Sequence, residues 1–169
     1  MRYIYCLIIV FSFLNVYCQN ENDLLKRQPY KLKLPVEKKS VYEVDVAESP
    51  FVMNKNIVQI YPGETIYVEA EMVNDSMMLR SVKEIMHPER TITMTCTQAV
   101  NKGKHQSVLL KVTNPFDKAL SYSGSMFLMK NNSWVPANVH PVQAKLSSFE
   151  IYPDVIITFG LSDWKFIQR

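Results

Sequence analysis

Carboxylates apart, the side chains in this sequence that could act as bases, nucleophiles or metal ligands near neutral pH are few. They are three histidines, His87, His105 and His140, and one cysteine beyond the N-terminal region, Cys96. Each histidine stands alone beside a turn residue or a proline, and none has the short spacing of a zinc motif such as HExxH. Cys96 lies in "TITMTCTQ", where Ile92, Met94 and Cys96 share one face and threonines fill the other. That is the pattern of a small buried hydrophobe, with no base beside it to activate a thiolate. Carboxylates come closest to a cluster at Glu150, Asp154 and Asp163. Glu150 and Asp154 with His140 form the weak candidate set for a metal site or a hydrolytic pair, which would need those groups to converge across a cleft. The run "EIYPD" reads more simply as a solvated turn with Asp154 at its tip. There is no G-x-S-x-G elbow, and four glycines supply no phosphate-binding loop of known pattern. The methionines fall mostly at strand spacing without a histidine motif, so they read as core filler and not as copper or haem ligands. The residues therefore assign no catalytic group, no metal and no cofactor.

The aromatic residues offer a better binding hypothesis. "KNNSWVPANVHP" (130–141) is polar around Trp134. A tryptophan there could stack on a sugar ring while Asn131, Asn132 or Asn138 bond to its hydroxyls, with Tyr152 as a further candidate. It could equally anchor a protein partner, since tryptophan and tyrosine dominate interface hot spots. The competing expectation is that Trp134 begins a strand and tucks under the fold. Trp164, alternating with Phe166, reads as core. Asn74-Asp75-Ser76 and Asn131-Asn132-Ser133 match the glycosylation acceptor pattern.

The elements that must position these residues alternate with period two. "VYEVDV" (41–46), "NIVQIYPGE", "TIYVEAEMV" (65–73), "RTITMTCTQAV" (90–100), "QSVLLKVTN" (106–114), "ALSYSGSMFLMK", "DVIITFGL" (154–161) and "DWKFIQ" (163–168) all read as strands. Turn signals separate them: Pro62-Gly63, "NDS" at 74–76, "NKGKH" with Gly103, and "NPFDK". In "NPFDK", Pro115 restricts Asn114 to extended geometry and Asp117 can accept from nearby backbone N–H groups, so the segment reads as a chain reversal. Residues 77–86 fit either a helix face or a strand; strand is preferred because the neighbours form a meander. "YKLKLPV" alternates Tyr30, Leu32, Leu34 and Val36 with Lys31 and Lys33, which suits an edge strand. Short strands, many turns and almost no helical periodicity predict an all-β antiparallel sandwich of about seven to nine strands.

"VTNPFDKALSY" is similar to the immunoglobulin-like modules of bacterial surface proteins. In these, a strand ending in Asn turns and the next presents an inward Leu and Tyr. The resemblance covers Thr65 to Phe166, without the paired cysteines and central tryptophan of antibody domains. It implies an immunoglobulin-like β-sandwich that works by binding.

Residues 1–18, "MRYIYCLIIVFSFLNVYC", have the layout of a secretory signal peptide: Arg2, an apolar run from Ile4 to Leu14, then Val16 and Cys18 at the cleavage positions. The run is shorter than the roughly 20 apolar residues of a membrane-spanning helix. Alternatively Cys18 is an acylated first residue, although Tyr17 and Leu14 fit a lipobox poorly. Residues 19–40 are then a polar N-terminal segment or edge strand, and 41–169 the sandwich domain. Loss of Arg2 leaves 18 basic against 16 acidic residues, a formal +2. The lysines are scattered and not interleaved with aromatics, which is no nucleic-acid footprint. The sequence thus predicts a non-enzymatic module, periplasmic or at the cell surface, that recognises another envelope or secreted protein. A carbohydrate-binding module using Trp134 is the alternative, and membrane contact comes only through Cys18. Strand addition at residues 41–46 or at the final strand is the expected mode.

Overall fold

The computed structural model describes residues 25–167; residues 1–18, expected to be a signal peptide, and with them Cys18, lie outside these. Within these residues the chain is all-β and antiparallel. Its strands are β1 (Lys26–Arg27), β2 (Tyr30–Glu37), β3 (Ser40–Val46), β4 (Ser49–Pro50), β5 (Val52–Met53), β6 (Ile57–Ile60) and β7 (Thr65–Val73). β8 (Ser76–Val82), β9 (Thr91–Asn101), β10 (Lys104–Thr113), β11 (Leu120–Leu128), β12 (Ser133–Ala137), β13 (Ser147–Tyr152) and β14 (Ile156–Phe166) follow. Fourteen strands exceed the seven to nine expected: three are two-residue pairings too short to leave a periodic signal, and β2 and β3 form a sheet of their own.

One five-stranded sheet has the order β13-β10-β9-β7-β8 and the other β12-β11-β14-β6-β5. Period-two alternation explains how they share one core. Ile66 and Val68 of β7, Ile92, Met94 and Cys96 of β9, and Val108, Leu110 and Val112 of β10 point inward from the first sheet. They meet Val58, Ile60, Leu120, Phe159 and Leu161 of the second. Each such side chain contributes about 1.5–3 kcal/mol by leaving water. Trp164 stacks on Tyr122 at 4.7 Å in the same core.

The tight turns follow their chemistry. Asn74 and Asp75 both have positive φ, as do Lys102 and Gly103, so the β7–β8 and β9–β10 hairpins close with the primed turns that match strand twist. Residues 76–82 form a strand, as preferred, and 83–86 do not. The two strands expected at the C-terminus are one, β14. Asp163 sits at φ +54 where the β11 register shifts, a bulge that reads in sequence as a break.

β2 and β3 form a separate hairpin. Its inner face (Leu32, Leu34, Val46) packs on Ile157, Phe127 and Tyr61 of the second sheet's outer surface. On its solvent face Lys31 pairs with Asp45 at 2.7 Å and Lys33 with Glu43 at 3.0 Å, directly opposite each other in the register. "NPFDK" does reverse the chain, carrying it from β10 in one sheet to β11 in the other, but Asn114 organises it. The Asn114 side chain is buried and takes the Phe116 N–H on its oxygen. Its amide donates to the carbonyls of Lys118, Val142 and Gln143. Asp117, expected to hold backbone N–H groups, instead pairs with Lys145 at 3.2 Å on the surface.

Candidate functional site

The residues singled out for chemistry are dispersed with one exception. His140 and Glu150 meet: the Glu150 carboxylate accepts from the His140 backbone N–H at 3.0 Å and lies 3.1 Å from Nδ1. Asp154 is not with them; it pairs with Lys130 at 2.7 Å. Among the described residues no three or more His, Cys, Asp or Glu side chains converge to hold a metal. His87 stands near Glu89 on the surface. Cys96 is fully buried, and burial pushes its thiol far above the ordinary range, so it is held as a protonated, unreactive side chain. The Asp163 carboxylate accepts from the Ser162 hydroxyl at its bulge.

Trp134 is neither in a loop nor in the core. It lies on β12 with half of its surface exposed (50%), edge-on to Phe127 at 5.5 Å. Its six-membered ring passes 3.6 Å from where a Cβ would stand on Gly160, so the missing side chain there lets the ring rest on the sheet. Asn131 and Asn132 form the exposed β11–β12 turn. Asn138 is exposed, and its carbonyl accepts from the Tyr152 hydroxyl at 2.7 Å. Tyr152 is buried and faces Phe159; burial first, then the Glu150 charge, raises its hydroxyl well above the ordinary range. Tyr152 therefore belongs to the core and not to the Trp134 surface. The large open cleft between Met77 of β8 and the end of β14 is lined by Lys55, Asp75, Lys165 and Trp164, with no histidine or cysteine among its described lining residues.

The surface that the sequence reading missed is β13. It pairs with β10 and, among the described residues, with no strand on its other side. Its amphipathicity is inverted. Ser148, Glu150 and Tyr152 share the parity of the inward-facing Val112, Leu110 and Val108 opposite them in the register. Phe149 and Ile151 therefore face out, 60% and 70% exposed. Leu146 is also exposed just before the strand, and Lys111 Nζ sits 5.4 Å from the Phe149 ring. Polar residues on the core side and apolar ones on the solvent side gave "SSFEIY" the look of a loop. The missed signal was the alternation of Phe149 and Ile151. Edge strands are usually blunted by charge, proline or brevity. β12 has Pro136, β5 is two residues long, and β3 carries its row of ion pairs. The other expected edge, the final strand at 163–168, is as far as Phe166 the end of β14, which pairs there with β11; β6 covers the other side of β14 only at Phe159–Leu161. On β13 the only charge, Glu150, is turned inward and satisfied by His140.

Comparison of the chain with family models, with characterised proteins and with solved structures gave no match.

Proposed function

We propose that this chain is a non-enzymatic recognition module that binds another envelope or secreted protein by pairing its β13 edge with an extended segment of that partner. The observation that carries the reading is the open strand whose two large apolar side chains face solvent side by side. Backbone groups of such an edge give affinity, and alternate side chains give specificity. Burying Phe149 and Ile151 against a partner would contribute about 1.5–3 kcal/mol each. Export through residues 1–18, with or without a lipid on Cys18, belongs to the same proposal.

An immunoglobulin-like topology is part of it. In that fold the second and fifth strands are neighbours in one sheet and the third and sixth in the other. The β10–β13 and β11–β14 pairings, with β9 beside β10 and β12 beside β11, support this reading. β6 would then take the place of the last strand, entering from the N-terminal side, and β7 and β8 would extend the first sheet.

The double variant Phe149→Lys/Ile151→Lys tests the proposal. It should fold with a melting temperature within a few degrees of the native one, since both side chains stand largely in water and the main cost is a like-charge pair with Lys111 opposite position 149, and should lose at least about tenfold in affinity for the partner that co-purifies with the native protein. Equal recovery of that partner by the variant would refute the edge as the binding surface.

A second reading, carbohydrate binding, is favoured by the placement of Trp134 over Gly160, which leaves part of a large ring accessible on a sheet face carrying Ser125 and Gln59 in register with Gly160. Trp134→Ala should abolish binding on a glycan array while lowering the melting temperature by only a few degrees, as expected for a half-exposed side chain. A native protein that binds no glycan on the array ends this reading.

A further inference from the structure

Two hairpin turns distant in sequence meet at one end of the molecule. The β2–β3 turn brings Glu37, Lys38 and Lys39; the β9–β10 turn brings Lys102, Gly103 and Lys104. A Cβ on Gly103 would stand 3.4 Å from the Lys38 carbonyl oxygen, so the two backbones touch. Gln98 fixes the junction by donating to the Pro35 carbonyl at 2.9 Å, and Lys104 reaches Glu37 at 3.3 Å. His105 holds Gln98 in turn. Its Nε2 lies 3.0 Å from the Pro153 carbonyl and can only donate there, so Nδ1 accepts the second amide hydrogen of Gln98 at 2.9 Å.

These turns concentrate positive charge. Without Arg2 of the expected signal peptide, the chain has 18 basic against 16 acidic residues, an excess of +2. Four lysines against one glutamate give the two turns +3, so the rest of that chain sums to −1. All five of these side chains are exposed. Lys33 of β2 is paired with Glu43, and Asp154, next to the Pro153 that His105 contacts, with Lys130, so neither pair adds to the excess.

We infer that this end of the molecule docks on the anionic phosphate headgroups of a lipid bilayer. Lysine ammoniums are point charges that engage phosphate without a preset geometry. The two turns are exposed, and no aromatic side chain lies in either for bases to stack on, which favours an anionic lipid surface over single-stranded nucleic acid. Each lysine near such a surface changes partitioning about fivefold, and the attraction fades beyond a Debye length of about 10 Å at 0.1 M salt. This surface acts independently of β13.

The test is co-sedimentation of the protein with vesicles of phosphatidylcholine alone or with phosphatidylglycerol added. Binding should require phosphatidylglycerol and be lost in 1 M salt. Lys38→Glu/Lys102→Glu should reduce it at least about twentyfold, whereas Lys55→Glu, a reversal at the opposite end, should retain most of it. Lys38→Gln/Lys39→Gln gives the same comparison should the first variant not fold. Absence of binding to the anionic vesicles, equal binding to neutral ones, or an equal loss in Lys55→Glu would each overturn the inference.

Discussion

Asn114→Asp should cost about 3–5 kcal/mol at pH 7, a large share of the roughly 5–15 kcal/mol that holds a domain of this size together. Asn114 is 1% exposed and its amide nitrogen faces three carbonyl oxygens, at 2.8 Å from Lys118, 2.9 Å from Val142 and 3.1 Å from Gln143. Its oxygen faces the Phe116 N–H at 2.9 Å, so the chemistry of the partners fixes which atom is which. A carboxylate there sets a charged oxygen against carbonyls in a dry site, where both N–H donors of the amide are lost and a charge is buried unpaired. Asn114→Ala loses the hydrogen bonds without adding the charge and should cost less, about 1–3 kcal/mol. The Val142 carbonyl keeps the Leu120 N–H in that variant. The pH dependence separates the two. The introduced carboxyl would titrate above its unfolded value in the native state. Its neutral form is thus the tolerated one, and stability is retained at acid pH and lost as pH rises toward 7. Thermal melts of both variants from pH 4 to 7 check this; an Asn114→Asp protein no less stable than Asn114→Ala at pH 7 contradicts the role given to Asn114.

Arg27→Ala should produce the second large loss, also about 3–5 kcal/mol. Arg27 is 4% exposed, with its guanidinium carbon 4.7 Å from the Phe51 ring centre and 4.9 Å from that of Tyr61. Its donors go to both Glu64 oxygens at 2.9 and 3.2 Å, to the Ser49 hydroxyl at 2.9 Å and to the Gln59 carbonyl at 2.7 Å. One side chain thus ties β1 to β4, to β6 and to the turn before β7. Without it the Glu64 carboxylate stays largely buried, with the Tyr61 N–H and Tyr30 hydroxyl as its remaining partners. Adding Glu64→Gln to Arg27→Ala should therefore recover part of the loss, a coupling of about 1–3 kcal/mol in a double-mutant cycle of urea melts. Strict additivity would show that the pair is not acting as a unit.

These two residues mark where the sequence was legible. The strands β7, β9 and β10 were, because their inward Ile66, Val68, Ile92, Met94, Val108 and Leu110 alternate with polar residues and one face is buried. "NPFDK" was legible as a turn, but the stabilising atoms were assigned to Pro115 and Asp117. What distinguishes Asn114 is its burial against residues 142–143, which local sequence does not encode. Arg27 sits in a stretch that reads only as a polar N-terminal segment or edge strand, and its partners are long-range. β13 was hidden by inversion: Phe149 and Ile151 are apolar where a half-buried strand should be polar, and that conflict between local pattern and fold is typical of a surface kept for a partner. Of the weak set His140, Glu150 and Asp154, the first two meet in the structure, whereas Asp154 pairs with Lys130.

The most direct test of the β13 edge is site-specific photocrosslinking in the native cell. A benzoyl-phenylalanine placed at position 149 or 151 should yield one discrete adduct of constant mass, and the same probe at Val41 on the ion-paired hairpin should not. Recognition through β13 predicts that pattern. Equal adducts from all three positions, or none from 149 and 151 while the protein is present and folded, would contradict it.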